Sequence, residues 1–181
     1  MSGLFIREAQ PTDAALVFDF IKALAEYERL AQDVVTNERE IAATLFGPNP
    51  RVFCDIAERD SAPVGIALWF YNYSTFRGRH GIYLEDLFVK PEMRGHGIGK
   101  ALLVNLAKRA VAQDCARVEW SVLDWNTPSI DFYKALGAVP MDEWTTFRLT
   151  GDALTRLAGG STTWAADRSA AHAKPRAQQV R

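Results

Sequence analysis

The chain has 181 residues, 48% hydrophobic and 24% charged, with 21 Lys plus Arg against 22 Asp plus Glu and a formal net charge of -1. That balance suits one ordinary globular domain and excludes bulk electrostatic attraction to nucleic acid. No apolar run approaches the roughly 18 residues that span a membrane, no basic start with an apolar core marks a secretory signal, and two Cys exclude a disulfide scaffold, so a cytoplasmic protein without nucleic-acid or membrane partners is the expectation.

In chain order, residues 4–6 read as a short strand. Thr12 is placed to cap a helix with Leu16, Val17, Phe20, Ile21 and Leu24 spaced by three and four. A second helix follows Thr36-Asn37, carries Ile41 and Leu45 on one side, and stops at Gly47-Pro48. Residues 52–56 and 64–73 read as strands joined by Asp60-Ser61-Ala62-Pro63, and 82–89 as a further strand ended by Lys90-Pro91. Residues 98–111 form an amphipathic helix with Leu102, Leu103, Leu106, Ala110 and Val111 at helical spacing. Residues 118–123 read as a strand. Thr127-Pro128 opens another helix that Gly137 ends, and 145–149 read as a last strand. The expected class is α/β or α+β, a sheet sandwiched by helices.

Beyond Gly159-Gly160 the composition changes to Ala, Ser, Gln and Arg, with Trp164 as an isolated large apolar residue. This tail carries +3, which leaves -4 on residues 1–158. The expected organisation is one domain over 1–158 and a disordered basic tail over 159–181.

Chemistry concentrates in Arg94-Gly95-His96-Gly97-Ile98-Gly99-Lys100, between a strand and an amphipathic helix. Glycines let backbone N–H groups approach a ligand closely. At a helix N-terminus those groups and the helix dipole favour an anion. Arg94 and Lys100 add charge from either end, so the segment suits a diphosphate. The same glycines would also serve a strand-to-helix turn with no ligand. The P-loop is excluded because Ala101 follows Lys100, and the dinucleotide fingerprint because Gly95, Gly97 and Gly99 are spaced by two throughout. Cys54 and Cys115 have no accompanying catalytic group and read as incidental thiols. No His or carboxylate cluster suggests a metal.

Arg94-x-x-Gly97-x-Gly99 resembles the acetyl-coenzyme A pyrophosphate loop of the GNAT acetyltransferase superfamily. Leu24-Ala25-Glu26-Tyr27-Glu28, Tyr83-Leu84-Glu85-Asp86 and Trp125-Asn126-x-Pro128-Ser129 extend the resemblance over roughly residues 4–157. Together they resemble the spermidine/spermine (diamine) and thialysine acetyltransferases. The resemblance implies a GNAT fold: a mixed, mostly antiparallel twisted sheet flanked by helices, whose central strand pair splays to admit the cofactor.

It further implies direct transfer of acetyl from acetyl-coenzyme A, in a ternary complex, to a primary amine of a polyamine, a diamine or a lysine-like amino acid. A protein or peptide amine as acceptor stays open, as does a non-catalytic acyl-coenzyme A-binding module. Leu87, Phe88 and Val89 would meet the pantetheine arm. Arg94, Gly95, His96, Gly97, Ile98, Gly99 and Lys100 would hold the pyrophosphate, with Asn126 and Ser129 as a second contact. Tyr133, a phenol protonated at neutral pH, is the expected general acid toward the departing thiolate. Glu85 is the expected base. Tyr27, Glu28, Glu85, Glu119, Trp120, Ser121 and Glu143 would line the amine site, next to a segment 139–144 that is shorter than in the polyamine enzymes. Asp86 follows Glu85 and by strand alternation should face the opposite way, in a structural role. A homodimer is also implied, with the tail near Trp164 reaching a partner's acceptor site.

Overall fold

A computed structural model describes residues 3–159. The expected disorder of the basic tail, and any role for Trp164, lie outside the described residues. The chain divides between Thr127 and Pro128 into two compact units.

The first unit is a five-stranded sheet in the order β1-β2-β3-β4-β5. Its strands are β1 (Leu4–Glu8), β2 (Phe53–Arg59), β3 (Ala62–Ser74), β4 (Arg79–Val89) and β5 (Val118–Trp120). β1 to β4 pair antiparallel and β5 joins β4 in parallel. Asp60 and Ser61 both have positive φ, at 52° and 64°. That is the geometry of a two-residue turn whose twist matches the strands it joins. The expected four-residue turn is therefore shorter, because Ala62 and Pro63 already pair with Arg59 and Glu58.

Helices cover both faces. α1 (Ala14–Tyr27) and α2 (Glu38–Phe46) bury Val17, Phe20 and Leu45 against Cys54, Ile56, Ile66, Leu68 and Phe88. α2 starts as expected at Asn37, whose side chain accepts the Glu40 backbone N–H at 3.1 Å. The start of α1 differs. Residues Pro11–Asp13 form a 3-10 turn, and Asp13 rather than Thr12 takes the cap position. Its carboxylate accepts the Gln10 backbone N–H at 2.7 Å and the Arg7 guanidinium at 2.6 Å. These bonds, Arg7 first, hold its pKa below the ordinary carboxylate value.

On the opposite face α3 (Ile98–Ala112) lies across all five strands. Leu102 and Leu106 are fully buried there, each contributing about 1.5–3 kcal/mol by leaving water. Beneath α3, buried Asp55 accepts hydrogen bonds from Trp69 Nε1 at 3.1 Å, Asn105 Nδ2 at 3.2 Å and Arg109 at 3.3 Å.

The second unit contains α4 (Thr127–Ala135) and α5 (Gly151–Leu157). α4 ends as expected at Gly137, where φ is 88°. Residues 145–149, expected as a strand, form none. Their alternating pattern needs a neighbouring strand, and the described part of this unit holds no strand to pair with. Phe147 is left 91% exposed. α5 has no counterpart in the sequence reading. β5 is also shorter than expected, ending at Trp120 instead of residue 123.

Candidate active site

The site grows from an irregularity in β4. Its register with β3 runs Leu68↔Asp86 and then Trp69↔Leu84, which makes Glu85 an unmatched, bulged residue. Pairing of β4 with β5 stops at Leu84↔Trp120, while β4 continues to Val89. From Glu85 to Val89 that side of β4 therefore has no paired strand among the described residues. Leu87, Phe88 and Val89 border the resulting gap. Phe88 is buried against Phe20, with ring centroids 5.9 Å apart, so its side chain belongs to the core while its main chain edges the gap.

The bulge breaks the alternation that sets Asp86 apart from Glu85. Asp86 pairs with core residue Leu68 and shares a face with Phe88, the face covered by α1. Burial pushes its carboxyl up to about 6, and the negative charges of Glu85 and Glu28 push in the same direction. Glu28, at the C-terminal cap of α1, is itself raised by burial. Asp86 thus feels the charges of both Glu85 and Glu28, the two carboxylates that the resemblance assigns to the amine site. The missed residue is Asp86. Its signal was the Glu85-Asp86 dipeptide, but no glycine or proline marks the bulge that redirects it.

The glycine segment follows the end of β4. Gly95 and Gly97 have φ of 77° and 78°, a region costly for other residues, and no heavy atom lies within 4 Å of a Cβ built at either. Gly97 caps α3 without a side chain. The first-turn N–H groups at Ile98, Gly99 and Lys100 precede the ladder, whose first bond runs from Ala101 N–H to the Gly97 carbonyl at 2.9 Å. Arg94 donates from Nε to the Val89 carbonyl at 3.1 Å. His96 turns Nδ1 back onto the Arg94 carbonyl at 2.9 Å, so it braces the loop itself. The arrangement is an open cradle of N–H donors with Arg94 and Lys100 exposed beside it, suited to a diphosphate.

Tyr27, the last residue of α1, donates its hydroxyl to Asn126 Oδ1 at 3.2 Å and packs its ring 6.0 Å from that of Trp125. Along β5, Glu119 Oε2 already accepts Asn72 Nδ2 at 2.6 Å and pairs with Arg117 Nε at 2.7 Å. Ser121 Oγ lies 2.8 Å from the Tyr83 hydroxyl, and Trp120 closes the paired stretch of β5.

Ser129, Tyr133 and Glu143 belong to the second unit. Ser129 is in the first turn of α4, and Tyr133 lies further along it with its ring 5.3 Å from Phe132. Glu143 is exposed. Among the described residues no group of three or more His, Cys, Asp or Glu is arranged to hold a metal. Cys54 and Cys115 are free thiols, and burial raises the pKa of Cys54 far above that of an exposed thiol, which removes it as a nucleophile.

The acetyltransferase (GNAT) family model matches residues 17–138. Thialysine N-epsilon-acetyltransferase of Bos taurus is 42% identical over 170 residues, covering 88% of this chain and 99% of that protein. L-ornithine N5-acetyltransferase NATA1 of Arabidopsis thaliana is 34% identical, covering 84% and 86%. Among solved structures, an integron cassette protein from the mobile metagenome of V. cholerae superposes with a TM-score of 0.73 at 28% identity, covering 87% of this chain and 98% of that one. With a matching family model over most of the domain and a sheet that opens beside a glycine cradle, the chain belongs to the GNAT acetyltransferase family and is an N-acetyltransferase.

Proposed function

We propose that the protein transfers the acetyl group of acetyl-coenzyme A directly to a primary amine of a small cationic acceptor bound at the same time. The observation that carries the reading is the bulge at Glu85, which joins the open edge of β4 to a carboxylate group at Glu85, Asp86 and Glu28. An extended pantetheine arm suits the open edge, with main-chain groups of Leu87, Phe88 and Val89 as its partners. The cradle from Arg94 to Lys100 suits the pyrophosphate, with Asn126 and Ser129 as further contacts. Two relatives are named for acetylating the side-chain amine of an amino acid, thialysine and L-ornithine. That favours a lysine-like acceptor over a long polyamine.

In this reading the carboxylates hold the ammonium, and Glu85, with Asp86 behind it, takes its proton. The neutral amine attacks the thioester carbon, the C–N bond forms and the C–S bond breaks. Tyr133 gives its hydroxyl proton to the departing thiolate. A donor aimed at developing negative charge contributes about 3 kcal/mol, a role open to a main-chain N–H of Leu87 to Val89. Exposed Val139, Met141, Trp144 and Phe147 support a homodimer, which would cover apolar surface. No helix among the described residues is long and apolar enough to cross a membrane, and a cytoplasmic site of action is part of the same proposal.

The test is thiol release from acetyl-coenzyme A across thialysine, lysine, ornithine, putrescine, spermidine and a lysine peptide. Turnover highest with the free amino acids supports the reading. Turnover only with the peptide replaces the acceptor class, and cofactor binding without turnover on any amine makes the protein a binding module.

A further inference from the structure

The family resemblance implies that Tyr27 lines the amine site together with Glu28. Its contacts run the other way. The Arg94 guanidinium carbon lies 4.4 Å from the Tyr27 ring centroid, well within cation–π range. The same guanidinium is tethered through Nε to the Val89 carbonyl at 3.1 Å. The Tyr27 hydroxyl meanwhile donates to Asn126 Oδ1 at 3.2 Å, and Asn126 is buried. One side chain at the end of α1 therefore touches two segments far apart in the chain: the loop after β4 and the turn before α4.

We propose that Tyr27 is a positioning residue of the cofactor side, whose ring seats the Arg94 guanidinium and whose hydroxyl tethers Asn126. The proposal rests on the reading of the Arg94 loop as the pyrophosphate site. An arginine free in solvent loses rotamer freedom each time it grips an anion. Here Nε is tied to Val89 and the guanidinium sits over the ring, so that loss is already met in the folded chain. No hydrogen bond within the described residues engages the two terminal nitrogens of Arg94, which leaves them for an anion. A preformed grip binds more tightly than a mobile one. Tyr27 is also the neighbour of Glu28 in the chain, so the two adjacent residues serve opposite ends of the site. The charge of Glu28 acts on Asp86, and the Tyr27 ring carries the Arg94 guanidinium.

The experiment measures coenzyme A binding by calorimetry, and the KM values for acetyl-coenzyme A and the amine by thiol release. The variants are Tyr27→Leu, Tyr27→Phe, Arg94→Met and the double variant Tyr27→Leu/Arg94→Met. Loss of a cation–π seat corresponds to about a 3- to 30-fold weaker Kd. Tyr27→Leu is expected to weaken coenzyme A and raise the KM for acetyl-coenzyme A by that factor, with the amine KM moved less than about twofold. Tyr27→Phe keeps the ring and is expected to recover most of the affinity. In the Arg94→Met background the Leu substitution should cost no more cofactor affinity than Tyr27→Phe does, because the group the ring seats is gone and only the Asn126 tether is left to lose. General loosening of the fold would still lower affinity there, so the double variant separates positioning from a merely structural role. The proposal is overturned if Tyr27→Leu raises the amine KM while coenzyme A binding is unchanged, if Phe is as damaging as Leu, or if the two losses add. Wild-type protein that binds no coenzyme A would instead bring down the cofactor reading, and the Tyr27 role with it.

Discussion

Asp86→Asn should make the folded protein more stable at neutral pH and worse at its work. Burial, with the charges of Glu85 and Glu28, raises the Asp86 carboxyl from 3.8 to about 6. The folded chain thus holds this proton more tightly than the unfolded chain does. Between those two values stability falls as pH rises, and above about 6 the ionised group is a standing cost. A displacement of about two pH units corresponds to roughly 3 kcal/mol. Asn keeps the volume and removes the ionisation. Urea unfolding of wild type and variant at pH 4, 6 and 8 isolates the difference. The variant should gain up to about 3 kcal/mol at pH 8, less at pH 6, and almost nothing at pH 4. In a domain of this size that upper figure corresponds to roughly 6–12 °C in melting temperature. If the carboxylate is retained to hold a cation, the amine KM should rise in the same variant. A stability difference that does not change with pH, or a variant less stable than wild type at pH 8, would refute the reasoning.

Three further outcomes are expected. Tyr133→Phe removes the proton donor and should lower kcat by about 10²-fold or more while coenzyme A binding by calorimetry stays near wild type; unchanged turnover removes Tyr133 from the chemistry. Gly97→Ala forces a side chain into φ of 78°, costing about 1–2 kcal/mol of stability by urea unfolding, and projects a methyl group into the open cradle, so coenzyme A affinity should fall; unaltered affinity would mean that the pyrophosphate is held elsewhere. Asp55→Ala strips Trp69 and Asn105 of a shared buried acceptor and leaves Arg109 paired with Glu8, and should cost about 1–3 kcal/mol, read by the same unfolding assay; no measurable loss would mean that the network relaxes without it.

The helix α3 was legible because its apolar spacing is long and regular, and Leu102, Leu103, Leu106 and Ala110 are buried as that spacing demands; Val111, in the last turn, departs from it and is 82% exposed. The glycine loop was legible because positive φ and open space at Gly95 and Gly97 are needs that few residues other than glycine meet. Residues 145–149 were misread for the opposite reason. Their alternation is a statement about a neighbour, and a strand exists only where another strand accepts its hydrogen bonds.

Local sequence by itself therefore determined the elements whose bonds close within themselves, and the anion-suited turn between β4 and α3. Tertiary structure decided where β4 slips by one residue against β3, which no residue type announces. That slip brings Asp86 beside Glu85 and Glu28. Folding also decided that Tyr27 meets Arg94 and Asn126, residues 67 and 99 positions away. Contacts across such separations depend on how helices seat on the sheet, and the hydrophobic pattern fixes only which faces are buried, not which side chains then touch.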